Sequence, residues 1–321
     1  MGKRPRITVL GSLNMDISVT VPRLPGAGST VLGPEARLAP GGKGANQAVA
    51  ASRLGADVYM VGCVADDEFG HQLLDALAAA GVDADGVRDL DGISTGLAMI
   101  AVDESGENLI TVAQGANREV GADDVARALA RPADALVISA EIPVPAIMSA
   151  LTEPAATSPI RILNLAPAPA GAAAIVAAAT TLDWLVVNES EAAAVLGRPV
   201  HGLAGAAQAA ADLVAAGARH AVVTAGAYGA ALAPSPATPS PDGAAALTVP
   251  GFHVTAVDSV GAGDTFVGAL AVALAAGIPA AEAVRAAAAA GAAAVTRPGA
   301  QAAMPRPADI LSMTGLSWPV A

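Results

Sequence analysis

The sequence predicts a doubly wound, mostly parallel α/β sandwich with helices on both faces and a small β-sheet lid. Three observations carry that prediction. From about residue 135 onward, short apolar runs rich in Val, Ile and Leu alternate with Ala-rich helical stretches, the pattern of parallel strands buried on both faces. Two weaker strand regions, 17–38 and 96–113, fall outside that rhythm and suit a separate sheet over the ligand edge. Finally, 321 residues are enough for one large α/β domain, taken here as 1–321.

In order along the chain, Arg6–Leu10 is a β-branched run ending at Gly11 and reads as a strand feeding a loop. Ile17–Thr20 and Thr30–Leu38 have strand character, separated by the turn-rich 22–28. Gly44–Leu54 reads as a helix stopped by Gly55, and Val58–Val64 as a buried strand. Asp66, Asp67 and Glu68 open a helix running to Ala80, where acidic groups face the positive end of the helix dipole. Gly96–Val102 and Asn108–Ala113 form a hairpin. Strands at Ala135–Ser139, Ile160–Asn164, Trp184–Val187 and His220–Thr224 then alternate with helices near 144–151, 172–179, 189–196 and 203–216. The Pro-rich stretch 234–243 is a low-complexity loop. Ala-rich helices near 262–276 and 280–295 follow.

Composition removes several classes. Hydrophobic residues make up 54% but aromatics only 2%, so the core is built of Ala, Val, Leu and Ile. The mean hydropathy of +0.53 reflects alanine rather than a membrane span. The single cysteine, Cys63, forms no internal disulfide and no Cys-based zinc site, and His71, His201, His220 and His253 lack metal-ligand spacing. A formal charge of −12 repels nucleic acid and anionic lipid, so neither is an expected partner. The basic start is followed by a short apolar run that meets Asn14 and Asp16, unlike a signal peptide. The uncharged stretch 162–182 is interrupted by Asn164, Pro167, Pro169 and Gly171, and reads as strand, turn and helix rather than a span. A cytoplasmic location is expected.

Four segments can carry chemistry. Gly41-Gly-Lys-Gly-Ala-Asn46 precedes a helix, where glycines permit close ligand approach and free N–H groups attract anions. It is not a P-loop, because Arg37 and Gly44 occupy positions that need Gly and Ser or Thr. A plain glycine turn with a surface lysine is the competing reading. Asp258-Ser-Val-Gly-Ala-Gly-Asp-Thr-Phe266 places Gly261, Ala262 and Gly263 where successive amides can converge on an anion, with Asp264 beside them. The alternative is an ordinary helix-capping aspartate. Gly11-Ser-Leu-Asn-Met-Asp16 lies at the carboxyl end of the first strand, the ligand edge of open α/β sheets. Asn14 and Asp16 there suit a polyhydroxyl ligand, with an Asx-rich turn as the competing reading. Asn188-Glu-Ser-Glu191 has capping-box spacing, and also offers oxygen ligands for hydrated Mg²⁺. Glu141 is a carboxylate at the same edge. No dinucleotide fingerprint follows the first strand, which disfavours a dehydrogenase.

Taken together, these segments resemble the ribokinase-like (PfkB) family of sugar and nucleoside kinases, from about Ile7 to Pro305. The GGKGAN and DSVGAGDTF segments match the family's two signatures in order and separation. Further similar pieces are 11–16, 164–169, 188–191, 224–229 and 295–301. The resemblance implies ATP-dependent phosphorylation of the primary 5-hydroxyl of D-ribose or a similar pentose, with another sugar, deoxyribose or a nucleoside as alternative acceptors. A non-catalytic sugar or nucleotide sensor on the same fold is the alternative of a different class. Asp264 would accept the hydroxyl proton, and the amides of Gly261, Ala262 and Gly263 would hold the phosphoryl group. Asn14, Asp16, Gly42, Lys43, Asn46 and Glu141 would surround the sugar. Asn188, Thr224, Gly226, Gly229 and Gly263 would contact ATP, and Glu191 would organise Mg²⁺ through water. A monovalent cation, K⁺ by the same resemblance, would use Asp258 with carbonyls of Val260, Ala294, Arg297 and Gly299. Ala303 stands where the family often has serine near that cation, and Ala288 where a polar residue often borders the base. A homodimer through the β lid is also implied.

Overall fold

The computed structural model describes residues 3–105, 107–237 and 244–320. Nine strands form the main sheet. In chain order they are β1 (Arg6–Leu10), β4 (Asp57–Ala65), β5 (Asp83–Leu90), β8 (Ala135–Ser139), β9 (Ile160–Asn164), β10 (Trp184–Asn188), β11 (His220–Thr224), β12 (Gly229–Ala233) and β13 (Leu247–Pro250). A second sheet holds β2 (Asn14–Val21), β3 (Ala36–Gly41), β6 (Gly96–Asp103) and β7 (Asn108–Ala113). The main sheet runs β13-β12-β11-β10-β9-β8-β1-β4-β5 and the second β3-β2-β6-β7. All neighbours from β5 to β11 pair in parallel, and only β12 and β13 pair antiparallel.

Both sheet faces are covered, as the continuously apolar strands require. On one face lie α1 (Lys43–Arg53), α2 (Glu68–Ala79), α8 (Ala262–Ala275), α9 (Ala280–Ala294) and α10 (Pro307–Thr314). The other face carries α3 (Ala122–Ala130), α4 (Val144–Thr152), α5 (Ala172–Ala178), α6 (Glu189–Leu196) and α7 (Gly202–Ala215). Alternation of side chains along each strand divides the core accordingly. Val9 and Val137 pack on the first set, and Leu10 and Ile138 on the second.

With few aromatics, close approach of backbones does the packing. A Cβ on Gly268 of α8 would lie 2.7 Å from the Gln47 carbonyl oxygen and 2.8 Å from the Ala50 Cβ of α1. The two helices therefore touch nearly backbone to backbone, and that contact decides where the α1 amides fall.

The chain winds from β1 outward through β4 to β5, then returns to place β8 on the other side of β1. This reversal opens a crevice above the carboxyl ends of β1 and β8, where ligands of open α/β sheets bind.

Several expectations need correction. The expected strand Thr30–Leu38 is displaced to Ala36–Gly41, where it pairs antiparallel with β2. Asn14 and Asp16 lie within strand β2 rather than in an Asx turn, because their backbones bond to both β3 and β6. Strands β5, β12 and β13 and helices α3 and α10 had no sequence expectation. β12 and β13 are short, and β5 carries Asp83, Asp85, Arg88 and Asp89 at the sheet edge. The helix after β4 starts at Glu68, with Asp67 as its cap accepting a hydrogen bond from the Gly70 amide. Residues 238–243 of the Pro-rich loop lie outside the described residues. Among the described residues, no helix is long and apolar enough to cross a membrane.

Candidate active site

Strand β1 ends at Leu10, and the chain then turns through Gly11, Ser12 and Leu13 into β2. The Ser12 hydroxyl donates to Glu141 Oε2 at 2.6 Å, and the Lys43 amide reaches the same oxygen at 3.3 Å. Glu141 is therefore fixed over the β1–β8 crevice, and is no loosely solvated loop charge. Asn14, 2% exposed, accepts at Oδ1 from Asn117 Nδ2 at 2.7 Å. Asn117 also bonds the backbone of Leu13 in both directions, so it pins the start of β2. A cavity of about 300 Å³ opens beside these groups, lined by Asn14, Asn117 and Glu141 and by Val112 and Gln114 at the end of β7. Two other clefts lie at the opposite, amino ends of the strands, near Arg6 and Arg131 and near Arg161 and His220. No residue of the four sequence segments lines them.

Gly41 lets Asp16 approach: a Cβ there would collide with the Asp16 carboxylate. Burial pushes the Asp16 carboxyl up to about 7, the charges of Glu141 and Asp264 push the same way, and Lys43 opposes them. Lys43 opens α1. Burial works against its charge, but Asp264, Glu141, Glu191 and Asp16 outweigh that effect and hold the ammonium above its ordinary range. The surface-lysine reading of this segment is thereby set aside.

Gly261 caps α8 with a φ of 75°, a left-handed turn open to glycine. Among the described residues no acceptor faces the amides of Gly261, Gly263 and Asp264, whereas the Ala262 amide bonds to Ser259 O at 3.3 Å. Of the three expected anion-holding amides, that of Ala262 is thus already engaged. Asp264 does not cap the helix with its side chain. Its carboxylate, 8% exposed, turns toward α1. Asn46 Nδ2 donates to Oδ2 at 2.9 Å and Gln47 Nε2 to Oδ1 at 3.1 Å. The two glycine-rich segments meet at this point.

At the neighbouring strand ends, Asn188 and Thr224 stand side by side in the β10–β11 register. Asn188 and Glu191 form the reciprocal capping box. Burial raises the Glu191 carboxyl, the Asn188 amide and Lys43 counter it, and Asp264 adds to it, so Glu191 also faces the central charges. Gly226 and Gly229 form the corner between β11 and β12. Asp258 accepts from the amides of Val260 at 3.0 Å and Gly299 at 2.7 Å, tying together two loops at the start of α8 and the end of α9.

Sequence reasoning missed Ser12, Gln47 and Asn117. Ser12 lies inside a segment already singled out, and Gln47 directly follows another. Asn117 carries no local signal, since its role comes from a contact 103 residues away.

The sequence profile described as pfkB family carbohydrate kinase matches residues 4–307. The chain belongs to the pfkB family. Among relatives, it is 37% identical over 311 residues to a ribokinase of Schizosaccharomyces pombe, covering 93% of this chain and 94% of the relative. It is 34% identical over 304 residues to a ribokinase of Haemophilus influenzae, with 94% and 96% covered. The solved structure of Arabidopsis thaliana ribokinase complexed with ribose and ATP superimposes with a TM-score of 0.83 at 30% identity, covering 98% of this chain and all of that one. Membership of the pfkB family makes this chain a sugar kinase, a phosphotransferase acting on an alcohol.

Proposed function

We propose that this pfkB-family chain transfers the γ-phosphoryl group of ATP to the primary 5-hydroxyl of D-ribose or a closely similar pentose. The observation that carries the reading is the Asp264 carboxylate, held by Asn46 and Gln47 beside open amides and close enough to Asp16 and Lys43 for their charges to interact. A helix-capping aspartate would need none of these contacts.

Asn14, Asp16, Gly42, Lys43, Asn46 and Glu141 surround the sugar and present its hydroxyl to Asp264. The hydroxyl oxygen bonds to the γ-phosphorus as the bond to the bridging oxygen of ADP breaks, and the hydroxyl proton passes to Asp264. Phosphoryl transfer has a loose transition state, so positioning and charge stabilisation dominate. The amides of Gly261, Gly263 and Asp264 provide fixed donors for the phosphoryl oxygens, and losing one such donor typically costs about 2.7–4 kcal/mol of barrier. Lys43 adds positive charge in a protein of net −12. Asn188, Thr224, Gly226 and Gly229 line the ATP side.

Mg²⁺, when bound, neutralises the ATP phosphates. Glu191 fits it through water, because Oε2 is engaged by the Asn188 amide while the carboxylate faces the central charges. Asp258 suits a monovalent cation. It offers one negative charge, and among the described residues the carbonyls of Val260, Arg297 and Gly299 accept no hydrogen bond. Ala294 is a poorer ligand, since its carbonyl already accepts from Arg297 at 3.4 Å.

The four-stranded sheet acts as a lid on a single 1–321 domain. It exposes Leu38, Met99 and Leu109 on one face, an apolar patch that suits pairing of two lids in a homodimer. Light scattering at micromolar concentration tests the dimer. An ATP-consuming reaction fits a cytoplasmic location.

The test of function is ADP release with D-ribose against 2-deoxyribose, other pentoses and nucleosides, with and without K⁺. Ribose turning over with the highest kcat/KM is expected. ATP and sugar binding without ADP release would favour a sensor instead.

A further inference from the structure

We infer that Gln47 is a positioning residue for Asp264, and that Asn164 at the end of β9 dictates which way the Gln47 amide points. The inference rests on the kinase reading above and adds to it a residue that acts through the proton acceptor.

Gln47 is wholly buried in the first turns of α1. Its Nε2 carries two protons, and each meets an acceptor: Asp264 Oδ1 at 3.1 Å and Asn164 Oδ1 at 2.9 Å. Asn164, 7% exposed, is oriented in turn, because its Nδ2 donates to the backbone oxygen of Val186 in β10 at 3.2 Å. A backbone carbonyl can only accept, so the Asn164 NH₂ must face Val186. Its Oδ1 must then face Gln47, and Gln47 must answer with its own NH₂. Reversing either amide would set two acceptors against each other. The central sheet thus fixes the direction of a donor to Asp264 two residues away in the chain of contacts.

The consequence for the carboxylate is rotational. Asn46 holds Oδ2 and Gln47 holds Oδ1, one N–H to each oxygen. The group cannot turn about its last bond without losing both contacts, and each oxygen keeps lone-pair capacity for a substrate proton.

The other end of the Gln47 amide argues against a packing role. Its Oε1 is buried with no hydrogen-bond partner. Unsatisfied buried acceptors are rare and destabilising, and methionine would fill the same space without one. The arrangement sacrifices an acceptor to keep both donors in place.

The experiment uses the purified full chain and compares wild type with Gln47→Met, Gln47→Glu, Asn164→Leu and Gln47→Met/Asn164→Leu. It reads kcat, both KM values, Tm, and kcat from pH 6 to 8. Gln47→Met is expected to lower kcat by about 10- to 100-fold with KM for ribose and ATP within about twofold. In Gln47→Glu the side chain donates only when protonated, so its kcat relative to wild type rises at least about tenfold as pH falls across the range. Asn164→Leu should lower kcat in wild type but have little further effect on Gln47→Met, because both act through one donor. The inference is overturned if Gln47→Met keeps kcat within about twofold of an active wild type. It is equally overturned if kcat loss tracks loss of Tm in every variant and the Gln47→Glu profile stays parallel to wild type. A wild-type chain that releases no ADP with any acceptor is a different result, and would overturn the kinase reading itself.

Discussion

The side-chain amide of Asn46 and the carboxylate of Asp264 meet at 2.9 Å across 218 residues of chain. Two glycine-rich segments, each with an ordinary alternative explanation, become one site through this contact. A hydrogen bond to a charged group contributes about 1.5–3 kcal/mol. Asn46→Ala should therefore lower kcat by about 10- to 150-fold while ATP binding is kept. Steady-state kinetics with ATP titration at saturating ribose checks this.

The same contact depends on how closely α1 and α8 pack. Gly268→Ala inserts a methyl group against the Gln47 carbonyl and Ala50. Overpacking of this kind costs about 1–3 kcal/mol. Tm should fall by about 2–4 °C for each kcal/mol, and kcat should fall with it, since the helices must move apart exactly where Asn46 and Gln47 reach Asp264. A calorimetric scan beside a turnover assay separates this variant from a purely catalytic one.

Asp16 predicts a pH dependence of both binding and stability. Its folded carboxyl titrates at about 7 against an ordinary 3.8, chiefly because it is buried and secondly because Glu141 lies near. Between those values the unfolded chain is ionised while the folded one keeps its proton. Asp16 therefore contributes stability that is full below about 3.8 and lost as pH rises through about 7. Asp16→Asn should gain Tm relative to wild type over this window and retain the gain at pH 8. In the opposite sense, the proposed contact of Asp16 with the sugar uses the ionised carboxylate, so KM for ribose in wild type should rise as pH falls below about 7. Asp16→Asn should raise that KM at pH 8 and flatten the profile.

His220 acts on stability with the reverse sign. Burial lowers its pKa from 6.5 to about 4, so the folded protein keeps it neutral where the unfolded chain would take a proton. Its ring lies 4.5 Å from that of Trp184. The contribution is present above about 6.5 and lost as pH falls toward about 4. His220→Phe, which keeps an aromatic ring there, should be increasingly stable relative to wild type as pH falls through this range. Urea melts at pH 7, 5.5 and 4.5 give the comparison.

Main-sheet strands β1, β4 and β8–β11 were legible because continuous Val, Ile and Leu runs have one stable home, between two helical layers. Edge strand β5 was not: its face is Asp- and Arg-rich, and pairing with β4 alone defines it. Thr30–Leu38 misled for a related reason, since β3 is set by its register against β2 and not by its own apolar residues. In the site, Asp264, Lys43 and Asn46 were visible because they sit in glycine-rich segments at helix starts. Asn117 and Asn164 were invisible as functional residues. Each is one polar side chain whose meaning lies in a partner at least 22 residues distant. The Asn188–Glu191 pair shows that two readings can hold together: it caps α6 and also turns a carboxylate toward Lys43.

The most direct measurement is ADP release by Asp264→Asn beside ATP binding by the same protein. The substitution keeps the size of the side chain but removes the proton acceptor, and general-base catalysis contributes about 10²–10⁴-fold. Turnover reduced by at least that factor, with ATP affinity close to wild type, is the result predicted. Turnover near the wild-type rate would contradict the assignment of Asp264 as the group that takes the hydroxyl proton.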